Sequence, residues 1–142
     1  MPSKSKLTVC LDANVIISAI AFGGIPLELL EQLYDRNFYH VTGPNILTEV
    51  HRNLITKLDQ PEEKVDLFLH RITEVSTVYV PSGRLRTIAH QADNLVLELA
   101  IIGNCDVLVT GDKKHLLPLN PFHGITIEPP SHFLKRLSSS RS

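Results

Sequence analysis

Cysteine is nearly missing from this chain: Cys10 and Cys105 are the only two. They share no Cys-X-X-Cys spacing, which excludes a disulfide framework and a cysteine-based structural zinc site. Both thiols are expected in the core of a protein from a reducing compartment. An excess of one charge is also lacking, since the formal net charge is -1. That argues against holding nucleic acid by bulk positive charge, although acids drawn together into one site would leave the rest of the surface positive. A long hydrophobic run is missing too. Residues 1–6 are polar, and the apolar stretch after them is broken by Asp12 and Asn14, too short and too interrupted for a signal peptide or a membrane span. The expected location is cytoplasmic, away from any membrane. There is no internal repeat, linker or low-complexity tract, so residues 1–142 should form a single domain with its core over about residues 7–137 and a disordered tail at 138–142.

What is present is organised around Leu7-Thr8-Val9-Cys10-Leu11-Asp12-Ala13-Asn14. A continuous apolar run suits a strand covered on both faces, as in a parallel sheet. It ends on an acid, where open α/β sheets place their ligand sites. Asp12 therefore reads either as a helix cap or as a functional group at a cleft. Helical spacing resumes to Gly23-Gly24 and again over residues 26–36, followed by a strand at 38–42. A helix over about 44–57 carries Ile46, Val50 and Leu54 on one face, with Glu49 on the flank of that face. Another helix starts at Pro61, and a third strand covers 75–80. Asp93 opens a strongly apolar helix ending at Gly103-Asn104. A buried strand at 106–110 runs into Thr110-Gly111-Asp112, then come a short helical turn at 113–117, a strand at 124–127 and a helix at 130–137.

Alternating strands and helices predict an α/β fold, a three-layer α/β/α domain with a mainly parallel sheet of about five strands. In it Asp12 and Asp112 share the carboxyl edge, and Glu49 and Asp93 reach that edge from helices. Carboxylates about 5 Å apart repel by roughly 3 kcal/mol per pair at an effective dielectric near 20. Such a cluster needs a cation or shared protons. Oxygen-only ligands favour Mg²⁺ or Mn²⁺ over zinc, and those ions serve phosphodiester hydrolysis.

These residues carry a family resemblance. The chain resembles PIN-domain (PilT N-terminus) ribonucleases, in particular the toxin components of toxin–antitoxin pairs. The carrying motifs are Leu11-Asp12-Ala13-Asn14-Val15, Ile46-Leu47-Thr48-Glu49-Val50, Asp93-Asn94-Leu95-Val96-Leu97-Glu98-Leu99-Ala100 and Asp106-Val107-Leu108-Val109-Thr110-Gly111-Asp112-Lys113. In order and spacing they extend over about residues 7–133. The resemblance implies that Asp12, Glu49, Asp93 and Asp112 form the catalytic, metal-binding acidic site. It further implies that Asn14 supports the first aspartate and Thr110 orients the last, while Asp106, at the start of a buried strand, reads as structural. The implied activity is a single-strand-selective endoribonuclease, a hydrolase of RNA. The implied partners are a small antitoxin protein that blocks the acidic groove and a second copy in a homodimer. One departure is His90-Gln91-Ala92, where many relatives carry further acids, which puts a second metal in doubt.

Among the remaining residues, Lys113 and His90 are candidates for substrate contact because of their closeness to Asp112 and Asp93. His40, His51, His70, His115, His123 and His132 show no ligand spacing. Arg84 and Arg86 read as solvated loop residues, and Ser18 and Ser131 have no triad partners. Two other readings stay open. One is a non-catalytic PIN-like module that binds RNA or protein. The other is a haloacid-dehalogenase-like phosphatase, disfavoured because Asn14 stands where that chemistry needs a second aspartate.

Overall fold

The computed structural model describes residues 6–140. Its elements are β1 (Thr8–Leu11), α1 (Ala13–Phe22), α2 (Gly24–Tyr34), β2 (Tyr39–Thr42), α3 (Pro44–Thr56), α4 (Glu62–Glu74), β3 (Ser76–Val78), α5 (Gln91–Ile102), β4 (Val107–Val109), β5 (Thr126–Glu128) and α6 (Pro130–Ser140), with a 3-10 turn at Leu117–Leu119. The five strands pair in the order β3-β2-β1-β4-β5, every pair parallel. This is the three-layer α/β/α arrangement expected from the alternation of patterns.

The order places β1 at the centre, with Cys10 opposite Val41 of β2 on one side and Leu108 of β4 on the other. After β1 the chain moves outward through β2 to β3, then crosses back through α5 to β4. The direction of winding therefore reverses between β1 and β4, and a crevice opens at the carboxyl ends of those two strands. Val9, Cys10, Leu11, Val107, Leu108 and Val109 are buried, which explains why both strands read as unbroken apolar runs. The two cysteines are free and buried as expected.

The helices are fixed by ordinary devices. Gly23, at φ +77°, ends α1 and turns the chain straight into α2, a conformation open to glycine at little cost. Pro44 sits in the first turn of α3, where its missing N–H costs nothing, and Ile46, Val50 and Leu54 form the buried stripe. Gly43, just before it, lies so close to Tyr79 and Leu99 that a Cβ would stand 2.6 Å from the Tyr79 carbonyl oxygen and 2.9 Å from Leu99 Cδ2. That close approach seats the start of α3 against α5. On the far side, Phe133 of α6 packs edge-on against Phe38, ring centroids 5.5 Å apart.

Several boundaries differ from expectation. Strand β3 stops at Val78 rather than at residue 80, because Val80 is exposed and only Tyr79 N–H still donates, to the Thr42 carbonyl at 2.9 Å. Helix α5 starts at Gln91, so Asp93 lies in its first turn and His90 is the cap residue. The helical turn expected at 113–117 is a run of turns that leads into the 3-10 turn at Leu117–Leu119. Helix α6 continues to Ser140, through the first residues of the expected tail, and residues 141–142 lie outside the described residues. No single described helix is long and apolar enough to cross a membrane.

One buried polar group ties three strands together. The His40 ring on β2 receives the Leu11 N–H at Nε2 (3.3 Å) and pairs through Nδ1 with Ser76 Oγ of β3 (2.7 Å). Because the Ser76 hydroxyl already donates to the Ile72 carbonyl, Nδ1 must carry the proton and Nε2 the lone pair. Burial pushes this imidazole from 6.5 down to about 3. The unfolded chain protonates His40 near 6.5 and the folded one only near 3, so its contribution to stability is complete above pH 6.5 and lost as pH falls toward 3. His40→Leu leaves the Leu11 N–H unpaired and should cost about 1–3 kcal/mol at neutral pH. In thermal melts, the gap between wild type and His40→Leu should narrow from about pH 7.5 to about pH 4.5. A gap that stays constant would mean that His40 titrates as a solvated histidine.

Candidate active site

The site is assembled where β1 and β4 end side by side. Asp12 follows β1 directly, and its N–H donates to the Val109 carbonyl of β4 at 2.9 Å. It is also the N-cap of α1, so capping and placement at the cleft are one geometry. Its carboxylate is buried and held at both oxygens: Oδ1 receives the Ala13 N–H and Oδ2 the Thr110 hydroxyl, each at 2.8 Å. Thr110 in turn accepts the Asp112 N–H at its Oγ1 (3.0 Å). One hydroxyl thus links the two strand-end acids.

Asp112 is shaped by its own turn. Its Oδ1 accepts the N–H groups of Lys114 and His115, both at 3.0 Å, while Oδ2 lies 3.4 Å from His115 Nδ1. Burial opposes ionisation of this carboxyl, but the two N–H groups and the neighbouring imidazole outweigh it and hold Asp112 below the ordinary carboxylate range. Asp93 moves the other way: burial and the nearby Asp112 charge raise it, against a smaller pull from His115 and His90. Asp12 is pushed up to about 6, chiefly by burial, with Asp93 and Glu49 adding to the rise and the Thr110 and Ala13 hydrogen bonds limiting it.

Ligand atoms of Asp93, Asp112 and His115 lie within 4.8 Å of one another. Asp12 feels the charges of Asp93 and Glu49, but neither Asp12 nor Glu49 is part of that tight cluster. Glu49 instead faces a cavity of about 370 Å³ between α3 and α5, with Arg52 beside it and Ala92, Leu95 and Val96 across from it. Asn14 is exposed on α1 and makes no hydrogen bond to the Asp12 carboxylate. Lys113 and His90 are exposed at the rim, and the His90 ring meets that of His115 at a centroid distance of 4.2 Å.

Three contributors escaped the reading of the sequence. His115 joins the acids, whereas the histidines other than His90 showed no ligand spacing there. Its signal was its place three residues after Asp112 in a tight turn. Asn94 and Glu98 lie one turn apart on the buried face of α5. The Asn94 Oδ1 accepts Thr87 and Ile88 N–H, each at 3.0 Å, and its Nδ2 donates to the Ile88 carbonyl at 2.8 Å. Glu98 accepts the N–H groups of Ser82 and Gly83. Those bonds hold the carboxyl below its usual range despite burial. Polar residues on an apolar helix face were the signal, and they clamp the loop that delivers His90 and Asp93. Arg86 is part of the same clamp rather than free in solvent, donating to Leu85 O at 2.9 Å and Gln91 Oε1 at 3.2 Å. A second group, His51, Glu62 and Asp66, gathers away from the sheet edge on α3 and α4.

Comparison with known proteins agrees with this architecture. A family profile described as PIN domain matches residues 8–114. An uncharacterized protein of Methanocaldococcus jannaschii is 26% identical over 144 residues, covering 93% of this chain and 92% of that protein. The fold is similar to that in the crystal structure of VapBC2 from Rickettsia felis bound to a DNA fragment from their promoter. There the TM-score is 0.63 at 20% identity, over 87% of this chain and 98% of that one.

Two outcomes follow from the electrostatics and the clamp. Folded Asp12 keeps its proton up to about pH 6 while the unfolded chain releases it near 3.8, so stability falls as pH rises through that window and stays lower above it. In EDTA, Asp12→Asn should therefore raise the thermal midpoint at neutral pH, by an amount worth at most about 3 kcal/mol. The gain should disappear toward pH 4; a loss of stability at neutral pH would refute the burden assigned to this carboxylate. Asn94→Ala removes the acceptor of two loop N–H groups. Amide hydrogen exchange at Thr87 and Ile88 should speed up while β1 and β4 stay protected, and equal protection in the variant would show that the clamp is immaterial.

Proposed function

Because the chain belongs to the PIN-domain family, we propose that it is a metal-dependent endoribonuclease that hydrolyses single-stranded RNA, the toxin component of a toxin–antitoxin pair. The observation that carries this reading is the meeting of Asp12, Asp93 and Asp112 at the winding reversal between β1 and β4. Their charges are linked in sequence: Asp93 raises Asp12, and Asp112 raises Asp93. A cluster of this kind has no folding advantage, and a dication would relieve its repulsion. The donor set fits such an ion. Asp93 and Asp112 offer carboxylate oxygens to one point, Asp12 is held rigidly behind them, and Glu49 approaches from α3.

On this reading Asp93 and Asp112 hold Mg²⁺ or Mn²⁺, with Asp12 and Glu49 completing the site directly or through water. A bound dication would supply charge neutralisation at the phosphate and activation of water for in-line attack. The chain's own groups do the positioning. The Thr110 hydroxyl and the Ala13 N–H prevent the Asp12 carboxylate from turning away. Two backbone N–H groups occupy Asp112 Oδ1 and leave Oδ2 to face the His115 ring. Lys113 and His90 are exposed at the rim, where they can meet phosphate, and the cavity beside Glu49 and Arg52 has room for a nucleotide of the same strand. A small antitoxin as partner extends the same reading, supported by the shared fold with VapBC2; a homodimer as working form and the cytoplasm as setting are proposed with it.

The test is cleavage of RNA with single-stranded loops in Mg²⁺, Mn²⁺ or EDTA. Cutting should require the metal and fall by at least about a hundredfold in Asp93→Asn and Asp112→Asn, each purified like the wild type. Cutting that survives both substitutions would be foreign activity. RNA binding without any cutting, insensitive to metal, would replace the enzyme by a binding module.

A further inference from the structure

We propose that His115 is a ligand of the same metal centre as Asp93 and Asp112, which makes it a mixed nitrogen–oxygen site selective for first-row transition dications such as Co²⁺ over Mg²⁺. The inference rests on the metal-dependent reading above and changes the identity of the site. His115 Nδ1 stands 3.4 Å from Asp112 Oδ2. Without an ion the pair is an i,i+3 contact at the long end of the N–H···O range, which centres near 2.9 Å. It matches two ligands of one ion: at bond lengths of about 2.1 Å, neighbouring ligand atoms are roughly 3.0 Å apart at an octahedral angle and roughly 3.4 Å apart at a tetrahedral one. Asp93 offers its oxygen within 4.8 Å of both, which makes it the third member of the set.

The local chain holds the imidazole in place. The Asp112 turn anchors the His115 backbone through its own N–H at 3.0 Å, which occupies Oδ1 and leaves Oδ2 facing the ring. The His90 ring packs on His115 at an interplanar angle of 61° and limits its swing. Mg²⁺ demands oxygen and gives up its water reluctantly, whereas imidazole suits the later first-row metals. One nitrogen in the set therefore shifts the preference.

The experiment is titration calorimetry of the full, metal-stripped chain with CoCl₂ and with MgCl₂, together with the visible spectrum of bound Co²⁺. Wild type, His115→Ala, His115→Gln, Asp112→Asn and His51→Ala are compared. His115 is 39% exposed at its side chain, and thermal melts check that its variants stay folded. Expected is a Co²⁺ affinity at least about tenfold weaker in both His115 variants, a changed Co²⁺ spectrum and little change for Mg²⁺, with His51→Ala like wild type. If Asp112→Asn abolishes binding while the His115 variants bind Co²⁺ as wild type does, His115 is no ligand and the acidic centre stands without it. If Asp112→Asn also binds normally, or only His51→Ala loses Co²⁺, the metal-centre reading falls together with this inference.

Discussion

The Thr110 hydroxyl is the hinge of this molecule. It donates to Asp12 at the end of β1 and receives the Asp112 N–H just beyond the end of β4. Those strands are adjacent because the sheet reverses its winding between them, and their register sets Leu11 opposite Val109. Any slip in that pairing would move one acid away from the other and turn Thr110 out of reach. The apolar residues of β1 and β4 thus set the site as firmly as the acids do, since a buried parallel pair has little freedom to change register.

Gathering carboxylates at a sheet edge works against folding, and the surrounding structure offsets that cost. Asp12 sits at a helix N-terminus with both oxygens hydrogen-bonded, the arrangement that best tolerates a buried acid. The raised value of Asp12 shows that the compensation is incomplete. The remainder is met by the bulk of the core and by devices outside the site. His40 joins the three strands on one side, Asn94 and Glu98 close the loop before α5, and Phe133 seals the opposite layer. An uncompensated site on a well-compensated scaffold is what a cation-binding function asks for.

The sheet, its parallel character and nearly every helix were legible because the elements carry unambiguous periods: unbroken apolar runs for β1 and β4, and a stripe of Ile46, Val50 and Leu54 for α3. The misjudged boundaries lie where local pattern competes with position. Val80 continues an apolar run but sits past the point where β2 offers partners. Residues after Leu137 have ample helix tolerance, and their serines suggested a loose tail. At the site, Asp12 and Asp112 were visible as strand-terminal acids, and Asp93 as an acid at a helix start. His115 was not, since its distance to Asp112 depends on a turn closed by two backbone N–H groups that no periodicity records. Asn94 and Glu98 were hidden for a different reason: they lie within a recognisable motif but serve the loop outside it. Asn14 is exposed on α1, and its nearness in sequence to Asp12 brings no hydrogen bond to that carboxylate.

On the proposed function, a chain of net charge -1 that gathers acids where a phosphate would arrive repels its own substrate. On that reading this is a control rather than a defect. With the acidic cluster uncompensated, a polyanion meets like charge at the proposed centre, and the exposed cations nearby, Lys113, Lys114 and Arg52, sit at the rim. A dication reverses the sign at the centre and leaves those rim charges to act in concert with it. Metal and RNA then bind with positive coupling, because each removes a repulsion that the other would face alone.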